Sequence, residues 1–184
     1  VYRARHRTLG MPVAVKTIAG SASADLVARF TREAMLLAKM RHPHVVSILD
    51  VGQCADGAPC MVMEFLEGEA LDVRLERKHS LPWSEARAIA AAILKGLDTI
   101  HNAGIIHRDL KPANILITRT NPEVVKLVDF GIAHSTSSTA QRYTQAGAMI
   151  GTPAYMPPEQ MAGATLDARS DLYALGLVMY EMVS

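Results

Sequence analysis

The order of hydrophobic periods predicts an α+β fold in two parts: a small antiparallel sheet with one helix, then a mainly helical part that carries a β-hairpin. Three observations carry it. Alternating apolar residues dominate the first third of the chain, and a period of 3.6 takes over after Glu67-Gly68. Two β-branched runs, Ile115-Leu116-Ile117-Thr118 and Val124-Val125-Lys126-Leu127-Val128, then flank a turn-rich Arg119-Thr120-Asn121-Pro122-Glu123, the pattern of a hairpin. The parts divide into residues 1–66 and 67–184.

Val1-Tyr2-Arg3-Ala4-Arg5 alternates as a strand. After a Gly10-Met11-Pro12 turn, residues 13 to 18 form a second strand in which Ala14, Lys16 and Ile18 share a face. Residues 24 to 41 carry Leu26, Val27, Phe30, Ala34, Leu37 and Ala38 at spacings of three and four, a helix with one buried stripe. Glu33 sits at the edge of that stripe, where a carboxylate needs a partner. His42-Pro43 stops the helix, and residues 45 to 51 and 59 to 65 read as strands joined by an Asp56-Gly57 turn. A short helix over residues 70 to 78 and a long one between Leu81-Pro82 and Gly104 follow. Residues 134 to 149, rich in Ser, Thr, Ala, Gln and Gly, show no period and read as a functional loop. Residues 170 to 184 are apolar nearly all round, so that helix is expected to be central and buried.

A chain of 184 residues with 49% hydrophobic and 20% charged residues is long enough to bury a core. Its net charge of +1 supplies no field for binding nucleic acid by bulk electrostatics. Two cysteines, Cys54 and Cys60, make no disulfide framework, which points to a reducing, cytoplasmic compartment and leaves open a parent protein tethered to a membrane. No apolar run approaches the ~20 residues that span a bilayer.

The chemistry concentrates between the long helix and the hairpin, in His107-Arg108-Asp109-Leu110-Lys111-Pro112-Ala113-Asn114. Asn114 precedes the first hairpin strand and Asp129 follows the second, so antiparallel pairing brings both to one end. Asp109 and Lys111 join them there. A carboxylate and a carboxamide suit a hard ion such as Mg²⁺ completed by substrate phosphates. A free carboxylate can orient a hydroxyl, and a lysine can neutralise a phosphoryl group in transfer.

In these motifs the sequence resembles the eukaryotic-type protein kinase superfamily, most closely its bacterial Ser/Thr kinases. The matching segments run in family order: Val13-Ala14-Val15-Lys16, Arg32-Glu33-Ala34, His42-Pro43, Met63-Glu64-Phe65, residues 107 to 114, Asp129-Phe130-Gly131, Gly151-Thr152-Pro153-Ala154-Tyr155-Met156-Pro157-Pro158-Glu159, and residues 171 to 176. The resemblance implies a two-lobed kinase-like fold and transfer of the ATP γ-phosphate to protein Ser/Thr hydroxyls, with ATP and Mg²⁺ as cofactors. It implies that Lys16 holds the α- and β-phosphates and pairs with Glu33, that Asp109 handles the substrate hydroxyl, that Lys111 supports the γ-phosphate, and that Asn114 and Asp129 hold metal. It further implies that Met63 is the gatekeeper, that backbone groups of Glu64 and Leu66 bond adenine, and that Val1, Ala14, Leu71 and Leu116 enclose the ring. Leu37, Ile48, His107 and Phe130 would stack, anchored by Asp171. Thr144 resembles an activating threonine open to autophosphorylation, its phosphate docking on Arg108. The family's glycine-rich loop and its later helices fall outside residues 1–184, so the chain by itself is expected to be inactive. A non-catalytic, pseudokinase-like module would have lost Lys16, Asp109 or Asp129, and all three are present.

Overall fold

A computed structural model of the protein describes residues 1–18, 24–131 and 153–184. The first sheet is built from β1 (Tyr2–Arg5), β2 (Pro12–Thr17), β3 (Ile48–Gln53) and β4 (Pro59–Glu64), in the order β1-β2-β4-β3 with every pair antiparallel. The register sets Ala14 opposite Met63 and Lys16 opposite Met61. Helix α1 (Ala24–Ala38) lays its stripe of Phe30, Ala34 and Leu37 on β3 and β4, where Ile48, Met61 and Met63 complete the core. Its spacing of three and four is the one that puts these side chains on one face.

Strand β3 starts at Ile48, later than expected. The preceding residues bond instead to the far part of the chain: the Val46 amide donates to the Leu127 carbonyl (3.0 Å) and the Leu127 amide to that of His44 (2.9 Å). A run of Val-Val there is thus a junction strand, which alternation by itself does not distinguish from a sheet strand.

The hairpin of β6 (Ile115–Thr118) and β7 (Val125–Leu127) gains a third strand, β5 (Gly68–Ala70), giving the order β5-β6-β7. Three residues are too few to show a period in the sequence. Gly68 is required in β5, because a Cβ there would lie 2.3 Å from the Ile117 carbonyl oxygen. Helices α2 (Leu71–Lys78) and α3 (Trp83–Asn102) follow. Gly96 lets α3 approach the junction, since its Cβ would meet the His44 carbonyl oxygen and Leu127 Cδ1, each at 2.9 Å. Arg74 of α2, nearly buried, donates to Glu69, Glu85 and Glu123 at 2.8 to 3.1 Å and so joins β5, α3 and the hairpin turn. Those hydrogen bonds compensate the desolvated guanidinium and raise its pKa, with Glu123 the largest contributor.

Beyond a one-turn helix α4 (Pro158–Met161), helix α5 (Ala168–Val183) begins at Asp167, whose carboxylate caps the Arg169 amide at 2.8 Å. Burial all round is not what α5 shows. Ala174, Leu175, Val178 and Met182 are buried on the side that packs on α3, whereas Leu172, Tyr173, Tyr180 and Val183 are exposed. Apolar composition marks a surface suited to burial, and among the described residues only one side of this helix is covered. Among the described residues no helix is long and apolar enough to cross a membrane.

Candidate active site

The loop before β6 is fixed from beneath by Asp171 of α5. Its nearly buried carboxylate accepts from the backbone amides of His107 (2.8 Å) and Arg108 (2.9 Å) and from His101 Nε2 (2.7 Å). Arg108 is held at φ 66°, a conformation costly for a residue with a Cβ and maintained here by those bonds. The turn that follows presents Asp109, whose carboxylate accepts from Lys111 Nζ at 2.9 and 3.1 Å and from Asn114 Nδ2 at 2.8 Å. Asn114 Nδ2 also binds the Asp109 carbonyl at 2.7 Å, which leaves the carboxamide oxygen as the atom free to accept or coordinate. Asp109, Lys111 and Asn114 thus come together as one cluster.

His107 is fully buried, its ring 4.7 Å from that of Phe130, and its Nε2 donates to the Val128 carbonyl (3.1 Å). Burial lowers its pKa and so favours the neutral ring, and full burial against Phe130 makes it a packing residue. Leu37, Ile48 and Phe130 share the same core. The end of the hairpin is tied to the loop by the Val128 amide on the Asn114 carbonyl and the Gly131 amide on that of His107.

Asp129 follows at φ 59° and projects toward β2. Lys16 Nζ lies 2.6 Å from Asp129 Oδ1 and donates to the Phe130 carbonyl at 3.4 Å. The expected Lys16–Glu33 pair is absent: Glu33 Oε1 accepts from Arg108 Nη1 at 2.8 Å instead. The carboxylate at the edge of the α1 stripe does have its cation, but sequence position cannot choose between two cations that both face the space above the loop. Arg108, expected to meet a loop phosphate, is occupied by Glu33. Thr144, Thr152 and residues 135 to 139 lie outside the described residues.

Between β1, β2, the 64–66 crossover and the hairpin is a cleft of about 240 Å³. Val1, Ala14, Met63, Glu64, Leu66 and Leu116 line it, and Val46 and Val128 add apolar surface that sequence reasoning did not assign. Asn114 and Asp129 close one end. Leu71 does not line the cleft: it is fully buried in the core at the start of α2, one residue beyond the strand that faces the hairpin. A divalent hard cation fits the donor set at that closed end. Asp129 Oδ1 is buried and makes no hydrogen bond, although the Lys16 ammonium lies 2.6 Å away as an ion-pair partner. With the Asn114 carboxamide oxygen it offers the all-oxygen ligation that such ions take.

Three contacts near the loop escaped the sequence. Gln160 Nε2 donates to the Arg108 carbonyl (3.2 Å), Ser170 Oγ to Glu159 (2.6 Å), and the Tyr155 hydroxyl to Glu181; burial, and after it that bond, raises the tyrosine pKa. They brace the segment from 153 to 160 against α5 and against the loop at Arg108. Nothing in local spacing announces pairs 11 to 52 residues apart.

A family model described as "Protein kinase domain" matches residues 1–184. The chain is 43% identical over its whole length to the serine/threonine-protein kinase pkn3 of Myxococcus xanthus, of which it covers 35%. It is 40% identical to PknB of Mycobacterium leprae, covering 30% of that protein. The solved kinase domain of Mycobacterium tuberculosis PknI superposes with a TM-score of 0.78 at 30% identity, over 98% of this chain and 67% of that one. The chain therefore spans about a third of the length of these curated relatives, each of which matches it over the chain's own full length. It belongs to the protein kinase family.

Proposed function

We propose that the protein carrying this chain is an ATP- and Mg²⁺-dependent protein kinase that phosphorylates Ser and Thr hydroxyls of protein substrates in the cytoplasm. One observation carries the reading. Asn114 and Asp129 line one end of an apolar cleft whose other end is bounded by residues 64–66, and Asn114 ties that end by hydrogen bond to Asp109, which Lys111 holds. That is the layout of a site for a planar base at one end and phosphates at the other.

In this reading adenine lies against Val1, Ala14 and Leu116, and peptide groups of Glu64 and Leu66 bond its edge. Lys16 holds the α- and β-phosphates. Asn114 and Asp129 hold Mg²⁺, which when bound supplies positive charge to the phosphate oxygens. Asp109 orients the acceptor hydroxyl and takes its proton as the oxygen bonds to the γ-phosphorus and the bond to the ADP oxygen breaks. Lys111, already 2.9 Å from Asp109, stabilises charge on the moving phosphoryl group.

Glu33 changes partner in the active arrangement, leaving Arg108 for Lys16. Autophosphorylation at Thr144 supplies the exchange, because a phosphate's double charge outcompetes a carboxylate for the Arg108 fork. The test is transfer of labelled γ-phosphate to a protein acceptor by the full-length protein, with phosphoamino-acid analysis and mapping of Thr144. Phosphoserine or phosphothreonine, lost in Asp109→Asn, is expected. Absence of transfer, or transfer that persists in Asp109→Asn, overturns the reading.

A further inference from the structure

The cleft has a second charged seam on its outer side. Lys126, in β7, points away from the hairpin's buried face and reaches across to the end of β4. Its Nζ is 2.6 Å from Glu64 Oε1 and 3.5 Å from the Val45 carbonyl oxygen. The same Glu64 oxygen accepts the Ser47 amide at 2.7 Å, and the Glu64 amide donates to the Ser47 carbonyl at 3.0 Å. Both side chains are largely shielded, Lys126 being 13% and Glu64 26% exposed, so the pair is stronger than a surface ion pair. None of the roles assigned above uses Lys126.

What the seam connects gives it meaning. Glu64 opens the crossover whose backbone bounds one end of the cleft, and Lys126 stands three residues before Asp129, which closes the other end. The two strands do not pair with each other in either sheet. Between them runs the junction of residues 44–47, hydrogen-bonded to Leu127 on one side and to Glu64 on the other. We propose that Lys126 is a positioning residue for nucleotide binding: through Glu64 it sets the span between the base-binding edge and the phosphate end of the cleft. Removing the ammonium leaves a shielded carboxylate with one amide donor and no counter-charge. Glu64 then turns to water, and the crossover that it anchors is released from β7. The site must be re-ordered each time nucleotide binds, and the cost falls on affinity and not on the chemical step.

This inference rests on the kinase reading, so the experiment separates the two. In the full-length protein, Lys126→Met is expected to raise KM for ATP about 10-fold and to weaken Mg·ADP binding by calorimetry by the same factor. Turnover at saturating ATP stays within about twofold, because Asp109 and its cluster are untouched. Lys126→Arg restores most of the affinity, since a guanidinium can meet the same carboxylate. Glu64→Gln, nearly isosteric and free of the folding risk of a lost buried cation, gives a similar loss, and the double variant loses no more than either single one. Wild-type protein that binds no Mg·ADP overturns the kinase reading along with the inference. Wild-type binding with unchanged affinity in Lys126→Met and Glu64→Gln, or lowered melting temperature alone, overturns the inference and leaves the kinase reading standing.

Discussion

The two halves of the candidate site are assembled by different means. Below the cleft, Asp109 is held by Lys111 and Asn114, two and five residues away, while Asp171 fixes the backbone behind it. Above the cleft, Lys16 and Glu33 are held by Asp129 and Arg108, more than seventy residues away in each case. A cluster closed within one turn is fixed as soon as that turn folds. A pair drawn from distant elements depends on how those elements sit, and four charges facing one space can pair in more than one way. The lower half is therefore a rigid reference, and the upper half is where a change of state can be stored.

The largest effect comes from breaking the lower half. Asp109→Asn keeps the hydrogen-bonding shape but removes the proton acceptor, so phosphoryl transfer should drop by about 10²–10⁴-fold with nucleotide binding retained. Rate and calorimetric affinity measured on the same preparation decide it, and a parallel fall in both would place Asp109 in binding instead. Asp171→Ala should follow, at about 3 kcal/mol of stability, because it strands the buried amides of His107 and Arg108. Denaturant unfolding measures that loss; a loss below 1 kcal/mol would mean that the loop finds other partners.

The upper half should answer more weakly and with a sign that depends on state. Its pair is partly shielded, with side chains 24% and 18% exposed, so freeing Glu33 from Arg108 is worth about 1 kcal/mol, or roughly fivefold. In a Thr144→Ala background, Arg108→Ala should raise the basal rate by about that factor, since Glu33 becomes available to Lys16. With Thr144 intact and phosphorylated, the same substitution should abolish the stimulation. Initial rates of the four combinations test this, and a basal rate lowered by Arg108→Ala would refute the exchange of partners.

This contrast also explains what could be read from residues alone. The order of strands and helices followed from period and turn chemistry, and the meeting of Asn114 with Asp129 followed from hairpin geometry, because both are local rules. The Lys16–Glu33 expectation failed at a long-range choice: each residue had a correctly inferred need for a partner, but Arg108 and Asp129 satisfied those needs. Leu71 failed similarly: at the start of α2 its side chain enters the core and does not line the cleft. Lys126 carried a weak signal, a charged residue amid the apolar positions of β7, and only the third dimension supplies Glu64 as the reason.

The smallest expected effect sharpens the claim that the lower half is rigid, and it concerns His107. The ring is fully buried, Nε2 is used as a donor to the Val128 carbonyl, and Nδ1 has no hydrogen-bond partner among the described residues. A second proton would have to sit on Nδ1 without a partner. Burial therefore lowers the pKa from 6.5, against the opposing pull of Asp171, Asp109 and Asp129. The unfolded chain, with the ordinary value, binds that proton as pH falls below about 6.5 while the folded protein refuses it. More protons on the unfolded side means that stability rises with pH across this window and is lost as pH drops through it. For one such group the effect at pH 6.5 stays well below about 1 kcal/mol. His42, lowered chiefly by burial and next by His44, adds in the same direction. His107→Phe keeps a ring against Phe130 and has nothing to protonate, so its denaturation midpoint should shift less between pH 7.5 and 6.5 than that of the wild type. Equal shifts in the two proteins would show that the pocket admits the proton, and with it enough water or motion to contradict a loop fixed from beneath.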